Sequence, residues 1–291
     1  MIINVGSINI DHVYRVAALP KAGETLAAKS YERYLGGKGA NQSIAIQRAG
    51  GDVIHVGAVG ADGNWALEQL KAAGLDTGHV TEVDAPTGHA IIAVDDAGEN
   101  SIVIVPGANG VIALDRVAAA METVDPSSSW LLLQNETNAT DEIVREGRSR
   151  GFKICYSAAP FVARTTLPLL NEIDLLVVNE GEANALAAAA GVSLDALGVP
   201  ELLITKGAVG AVFQRGAEHI HQSAFTVDPV DTTGAGDTFL GAFLAHYAKG
   251  AVPQEAMRFA SAASAIQVTR PGAADAIPDA HEIEAFLKER T

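Results

Sequence analysis

The stretch VDTTGAGDTFLGAFLAHY, residues 230–247, gathers in one short span the residue types that phosphoryl transfer needs. Glycines at 234 and 236 let backbone amides converge where an apolar helical run begins. Those amides and the helix dipole stabilise negative charge through fixed donors, with no water to reorganise. Asp237 follows directly, placed to take a proton from a substrate hydroxyl as its oxygen attacks phosphorus. Gly234, Ala235, Gly236 and Asp237 are therefore the candidate catalytic group. Taken alone, a GAGD tetrapeptide is more simply a tight turn with Asp237 as the helix cap. No GxxxxGK[ST] loop occurs and no GxGxxG follows the first strand, so P-loop and dinucleotide-binding readings lose their main support.

A second polar loop, YLGGKGANQ, runs into the helical text SIAIQRAG. Gly37 and its neighbours allow close backbone approach, and Lys38 and Asn41 have the reach and donors for a polyhydroxylated ligand or a phosphate. An ordinary strand-to-helix turn with an exposed lysine is the competing reading. NEGEAN, residues 179–184, reads as a capped helix with an acidic first turn.

These loops must be held by the elements around them. β-Branched runs (IINVGSI, DVIHVGAVG, WLLLQNE, FKICYSA, DLLVVNE, ELLITKG) alternate with Ala/Leu-rich helical text. The rhythm predicts an α/β fold: a doubly wound, mainly parallel sheet with helices on both faces. Two segments break it with strand-turn-strand patterning and no helix between, over about 12–35 and 87–106, the second turning at DDAGEN. They predict a small β-sheet lid over the C-terminal ends of the main strands, where open α/β folds bind ligands. No repeat, low-complexity tract or linker is visible, so residues 1–291 are expected to form a single domain.

Composition narrows the function. With 48% hydrophobic, 19% charged and 5% aromatic residues, the chain suits a buried sheet between helical layers. A net charge of −15 with no basic cluster argues against nucleic acid and anionic membranes, while leaving room for a small anion held by converging amides. The single cysteine, Cys155, permits no internal disulfide and reads as a small buried side chain. Neither a basic-then-apolar start nor a bilayer-length apolar run is present, and the expectation is a cytoplasmic protein. His219 and His221 alternate on a predicted strand, which reads as a solvated face; Trp65 and Trp130 read as packing residues.

GGKGANQ at 36–42 with DTTGAGDTF at 231–239 closely resembles the two signature segments of the PfkB carbohydrate kinase family. The similarity runs nearly the whole length, through NVGSINIDHV, GETL, TGHAIIAV, PGAN, NEGEAN, ITKGAVG, VTRPGA and EIEAFL. The resemblance implies a Rossmann-like core with a β-sheet lid through which two copies pair as a homodimer. It also implies transfer of the γ-phosphate of ATP to a primary hydroxyl, with D-ribose to ribose 5-phosphate the first expectation. Other family substrates (deoxyribose, fructose, a keto-deoxy sugar acid, a nucleoside) or a catalytically silent sugar-binding protein on the same scaffold are the alternatives.

Carried over by position, Asn9 and Asp11, placed at the end of the first strand, with Gly37, Lys38, Asn41 and Glu136 would bind the sugar hydroxyls. Asp237 would be the base. Asn179 and the segment Thr205, Lys206, Gly207 to Gly210, with Gly236 and Ser261, would bind the nucleotide; Ser261 stands where the family often has a His, and YSAAP replaces an NPAP-like segment. Asn179 and Glu182 match an NxxE element that would organise Mg2+ through water. The resemblance further implies a potassium-type site made by Asp231, the Thr233 carbonyl and carbonyls near Gln267, Arg270 and Gly272. Here the chain departs from the family, since Ala276 stands where a Ser often closes that site.

Overall fold

The computed structural model describes residues 1–290. The chain order is β1 (Ile2–Val5), β2 (Asn9–Arg15), β3 (Ser30–Gly36), α1 (Lys38–Arg48), β4 (Val53–Val59), α2 (Asn64–Ala72), β5 (Val80–Glu82), β6 (Gly88–Val94) and β7 (Asn100–Val105). It continues through α3 (Leu114–Met121), β8 (Trp130–Gln134), α4 (Thr140–Arg150), β9 (Lys153–Ser157), α5 (Ala163–Thr166), β10 (Leu175–Asn179) and α6 (Glu180–Ala190). The last elements are β11 (Glu201–Thr205), β12 (Gly210–Arg215), β13 (Glu218–Ser223), α7 (Ala235–Tyr247), α8 (Pro253–Gln267) and α9 (Ala280–Lys288).

Nine strands form one sheet in the order β13-β12-β11-β10-β9-β8-β1-β4-β5, and only the β11-β12-β13 end is antiparallel. Its strands alternate between two cores, as the two-residue period of a strand requires. Leu131, Leu133, Ile154 and Tyr156 pack with Val117, Ile143 and Leu186 of α3, α4 and α6. Trp130, Leu132, Cys155 and Leu203 pack on the opposite side with Phe243, Met257 and Ile283 of α7, α8 and α9. Cys155 is thus a buried apolar filler, and burial raises its thiol pKa well above the usual value.

The strand order reverses at β1, flanked by β4 and β8, which makes a switch point where a crevice opens beyond the strand ends. Over it lies a second sheet, β3-β2-β6-β7, with β2 and β6 parallel and the outer pairs antiparallel. Its lower end is rooted through Ile10 and Leu35, which pack with Ile44 of α1 and with Ala66 and Leu70 of α2. Asn9 and Asp11 do not end the first strand; β1 stops at Val5, and both belong to β2 of the lid, which starts three residues before the expected position 12. The chain leaves the large sheet at Gly6, where there is no room for a side chain because a Cβ would lie 2.5 Å from the Gly39 backbone.

Candidate active site

The crevice is closed below by two helix N-termini that meet. Within the helices, α1 and α7 pack so closely that Gly241 is required: a Cβ there would lie 2.4 Å from Ala45 Cβ and 2.7 Å from the Gln42 carbonyl oxygen. This contact brings Asp237 against α1. Its carboxylate accepts hydrogen bonds from Asn41 Nδ2 (3.1 Å) and Gln42 Nε2 (2.8 Å), and the residue is only 8% exposed. Asp237 is therefore not the helix cap. Gly234 is, at φ 76°, and Asp237 stands in the first turn with its acceptors turned toward α1.

The N–H groups of a first helical turn have no helical acceptor, so those of Gly236 and Asp237 can receive an anion, and a Cβ on Gly236 would meet nothing within 4 Å. Ala235 differs, because its N–H donates to the Thr232 carbonyl at 3.2 Å. Of the Gly234–Gly236 run expected from sequence, Ala235 is the residue whose N–H is already engaged.

Asp237 also shapes the site's electrostatics. Its charge holds the Lys38 ammonium above the usual lysine range against the opposing effect of burial, with Glu136 and Glu182 adding to the same shift. Glu136, just beyond β8, accepts from Ser7 Oγ (2.5 Å) and from the Lys38 backbone N–H (3.0 Å), so it ties the β1 exit to the α1 start. Across the crevice, burial and then the Glu136 charge push the Asp11 carboxyl up to about 6.

Asn9 is placed by Asn109, whose Nδ2 donates to Asn9 Oδ1 at 2.8 Å and whose Oδ1 accepts from the Ile8 N–H at 2.9 Å. Asn41 Oδ1 is buried with no hydrogen-bond partner among the described residues, which is costly unless something else donates to it. Asn9, Asp11, Gly37, Lys38, Asn41, Glu136 and Asp237 are thus brought to one crevice. Three residues with no assigned role support them. Gln42 holds Asp237; Gln134 Nε2 donates to Gln42 Oε1 and to Asn4 Oδ1, both at 2.8 Å. Asn109 is the third. Gln42 and Asn109 lay within GGKGANQ and PGAN, so the motif text was the available signal; nothing in the sequence marks Gln134.

Beside Gly236, a cavity of about 360 Å³ runs along the outer end of the sheet, lined by Thr205, Gly207, Gly210, Gly236 and Ser261 of the expected nucleotide set. Phe225, Val227 and Val268 give it apolar walls that the sequence reading did not name. Ser261 Oγ points at the Ser223 carbonyl (3.3 Å), so its hydroxyl is already engaged. Lys206 does not line the cavity and pairs with Glu180 (3.3 Å).

Asn179 and Glu182 form a reciprocal capping box at the start of α6, each side chain accepting from the other's N–H at 2.8 Å. Only Glu182 Oε2 is used there. The half-buried carboxyl is raised in pKa, first by burial and also by the Asp237 charge, against the opposing effect of Lys38. Its second oxygen fits the needs of a hydrated divalent ion, which takes few direct protein ligands.

The five residues expected around a monovalent cation also converge, but most of their donors are engaged. Asp231 Oδ1 and Oδ2 accept from the N–H groups of Thr233 and Gly272, each at 2.9 Å. The Gln267 carbonyl accepts from the Arg270 N–H (3.0 Å), and the Arg270 side chain pairs with Glu282.

A three-layer α/β core, a lid and an acid at a glycine-rich helix start define a phosphotransferase of the carbohydrate kinase class. The chain belongs to the pfkB family of carbohydrate kinases, whose model matches residues 1–280. It is 38% identical over 295 residues to the ribokinase of Bacillus subtilis (97% of this chain, 98% of the relative) and 36% identical over 300 residues to that of Haemophilus influenzae (98% and 97%). The solved structure of Arabidopsis thaliana ribokinase complexed with ribose and ATP superposes with a TM-score of 0.87 at 31% identity, covering 99% of this chain and 98% of that one. A deoxyribokinase of Salmonella typhi is 29% identical over 297 residues, with 97% of each chain covered.

Proposed function

We propose that this carbohydrate kinase transfers the γ-phosphate of ATP to the primary hydroxyl of D-ribose, giving ribose 5-phosphate. The observation that carries it is Asp237, buried, fixed by two amide donors and adjoining the open N–H groups at the start of α7. Asp237 takes the hydroxyl proton as the oxygen attacks, and the Gly236 and Asp237 amides meet the charge that develops on the phosphoryl oxygens. Lys38, held cationic, adds charge on the same side. The nucleotide lies in the cavity beyond Gly236; Glu182 and Asn179 would hold Mg2+ through water, and the ion would supply positive charge against the phosphates. Closure of the lid over the sugar keeps out water that would otherwise accept the phosphoryl group.

Ribose is favoured over deoxyribose because the lid and β8 present Asn9, Asp11 and Glu136 together, and a missing hydroxyl leaves a buried polar group without a partner. We expect kcat/KM for ribose to exceed that for 2-deoxyribose by about 10- to 100-fold. Steady-state kinetics on the two sugars, with 31P NMR of the product, tests this; equal values or a phosphate on another oxygen would refute it.

Asp11 supplies a pH test with a definite sign. Its folded pKa of about 6 lies above the ordinary value of 3.8, so the folded state holds the extra proton between those limits and stability falls as pH rises from 4 to 6. Asp11→Asn should therefore stabilise the protein at pH 7.5 by on the order of 1–2 kcal/mol and leave it unchanged at pH 4. Sugar binding should move the other way. KM of the parent protein rises as pH falls through 6, and the variant has a high, pH-independent KM, since a carboxylate accepts stronger hydrogen bonds than an amide. A flat KM in the parent would remove Asp11 from the sugar site.

The lid face that carries Asp11 also carries Val13, Ile92, Ile102 and Ile104, which are paired across β2, β6 and β7. Ile102 is 49% and Ile104 60% exposed, an apolar strip that a second lid would cover in a homodimer. Ile104→Glu is expected to yield monomers in sedimentation analysis; a parent protein that is itself monomeric at all concentrations would contradict the pairing.

A further inference from the structure

Beside the anion-receiving turn, the side chain of Gln267 lies between the carbonyls that a monovalent cation would be expected to bridge. Gln267 is the last residue of α8 and fully buried. Its Nε2 donates to the Thr233 carbonyl at 2.5 Å and approaches the Gly272 carbonyl at 3.5 Å. Both neighbours are acceptors, so the amide orientation is fixed by chemistry: turned over, its oxygen would face two other oxygens. Gln267 Oε1 is buried and unpartnered among the described residues, so the donations from Nε2 are what the side chain gains by being there.

The other oxygens of the site are each already partly used. Both Asp231 oxygens accept from backbone N–H groups, the Gln267 carbonyl is taken by Arg270, and position 276 is a buried alanine with no oxygen on its side chain. A cation here would have to displace the Gln267 amide and would find fewer side-chain oxygens than the family's pattern supplies.

We propose that the Gln267 amide takes the place of the monovalent cation, so that the 231–236 loop is held in its anion-receiving form by the chain itself and phosphoryl transfer proceeds without potassium. The amide N–H groups carry partial positive charge, sit at the C-terminus of α8 where positive charge is favoured, and hold the Thr233 carbonyl as an ion would. Thr233 immediately precedes Gly234, so fixing that carbonyl fixes the entry to the turn whose N–H groups meet the transferring phosphoryl. A neutral amide lacks the full charge of an ion but needs no recruitment from solvent. This inference rests on the kinase reading above, deepening the chemistry of the same site.

The test has two readouts. Turnover with sugar and ATP is measured in tetramethylammonium chloride and in potassium chloride at equal ionic strength, for the parent protein and for Gln267→Ala. The parent should differ by less than about twofold between the salts. Gln267→Ala should lose about tenfold or more without potassium, as expected when donors around a transition-state anion are loosened, and recover with it. Adding Ala276→Ser to that variant should sharpen the potassium response. The second readout is the melting temperature of the parent protein in the two salts, which should coincide, because an ion that binds only the folded state raises it. A saturable, several-fold activation of the parent by potassium, or a potassium-specific rise in its melting temperature, overturns the proposal, as does Gln267→Ala with full turnover in both salts. If Gln267→Ala does not fold, the parent measurements decide alone. If no sugar turns over, the kinase reading falls and the melting comparison still decides the cation question.

Discussion

Asp237→Asn is expected to lower turnover by about 10²- to 10⁴-fold while leaving the fold and the affinities for sugar and nucleotide near those of the parent. The fold survives because the new amide needs only one local adjustment. Asn41 Nδ2 and Gln42 Nε2 both donate to Asp237 now, and Asn41 carries a buried, unpartnered Oδ1 that a flip of its amide would turn toward the variant's NH2. Affinity survives because the amides of the first turn and the lid contacts do not involve the carboxylate's proton affinity. The loss therefore falls on kcat, as when an interaction made only in the transition state is removed. Rapid-quench measurement of the chemical step, with binding followed separately by calorimetry, checks it. Near-normal kcat would remove Asp237 as the base.

A second large effect is expected far from any reacting atom. Gly241→Ala places a methyl group 2.4 Å from Ala45 Cβ and 2.7 Å from the Gln42 carbonyl, so α1 and α7 must separate. Overpacking of this kind costs about 1–3 kcal/mol of stability. The functional loss is larger than that suggests, because the two helices carry the two halves of the catalytic group: Asn41 and Gln42 on α1, Asp237 on α7. A displacement near 1 Å loosens both hydrogen bonds to the base, and misplacement on that scale costs about 10²-fold in rate. Urea denaturation and kcat measured together test this. Ala45→Gly added to Gly241→Ala should return part of both losses, since it removes the closer of the two contacts. A Gly241→Ala protein with parental turnover would show that the α1–α7 spacing does not set the geometry of Asp237.

Much of this arrangement was legible from residue types and spacing because each signal had a local physical cause. The large sheet could be read because β-branched runs alternate with helical text. The lid could be read because DDAGEN sits between two apolar strands, and residues 95–99 do form that turn. Asn9 and Asp11 were misplaced for an equally local reason. IINVGSINI is apolar and buried on both sides of Gly6, so nothing in the pattern marks the point where the chain leaves one sheet for the other. Gln134 stayed invisible because an amide has no chemical signature of its own; it matters only through Gln42 and Asn4, at 92 and 130 residues' separation. Gln267 was named for its backbone carbonyl, whereas its side chain makes the contact with Thr233. A sequence identifies the position, but which atom of a residue turns inward is decided by the packing around it.

The capping box that the sequence suggests at Asn179 and Glu182 is present, and it engages only one oxygen of Glu182. The box uses Glu182 Oε2 to satisfy the Asn179 N–H at the helix start, as its sequence suggests, and leaves the other oxygen outside it, on a carboxyl that feels the charges of Lys38 and Asp237. A helix N-terminus that is locally complete can still present one acidic oxygen to a ligand.

The measurement that bears most directly on the central claim is coupled ADP release from Mg-ATP with ribose, deoxyribose, fructose, a keto-deoxy sugar acid and nucleosides offered one at a time. The account predicts release that depends on added sugar, greatest with ribose and lowered by about 10²- to 10⁴-fold in Asp237→Asn. ADP release that no sugar or nucleoside stimulates above the background of ATP hydrolysis would contradict it.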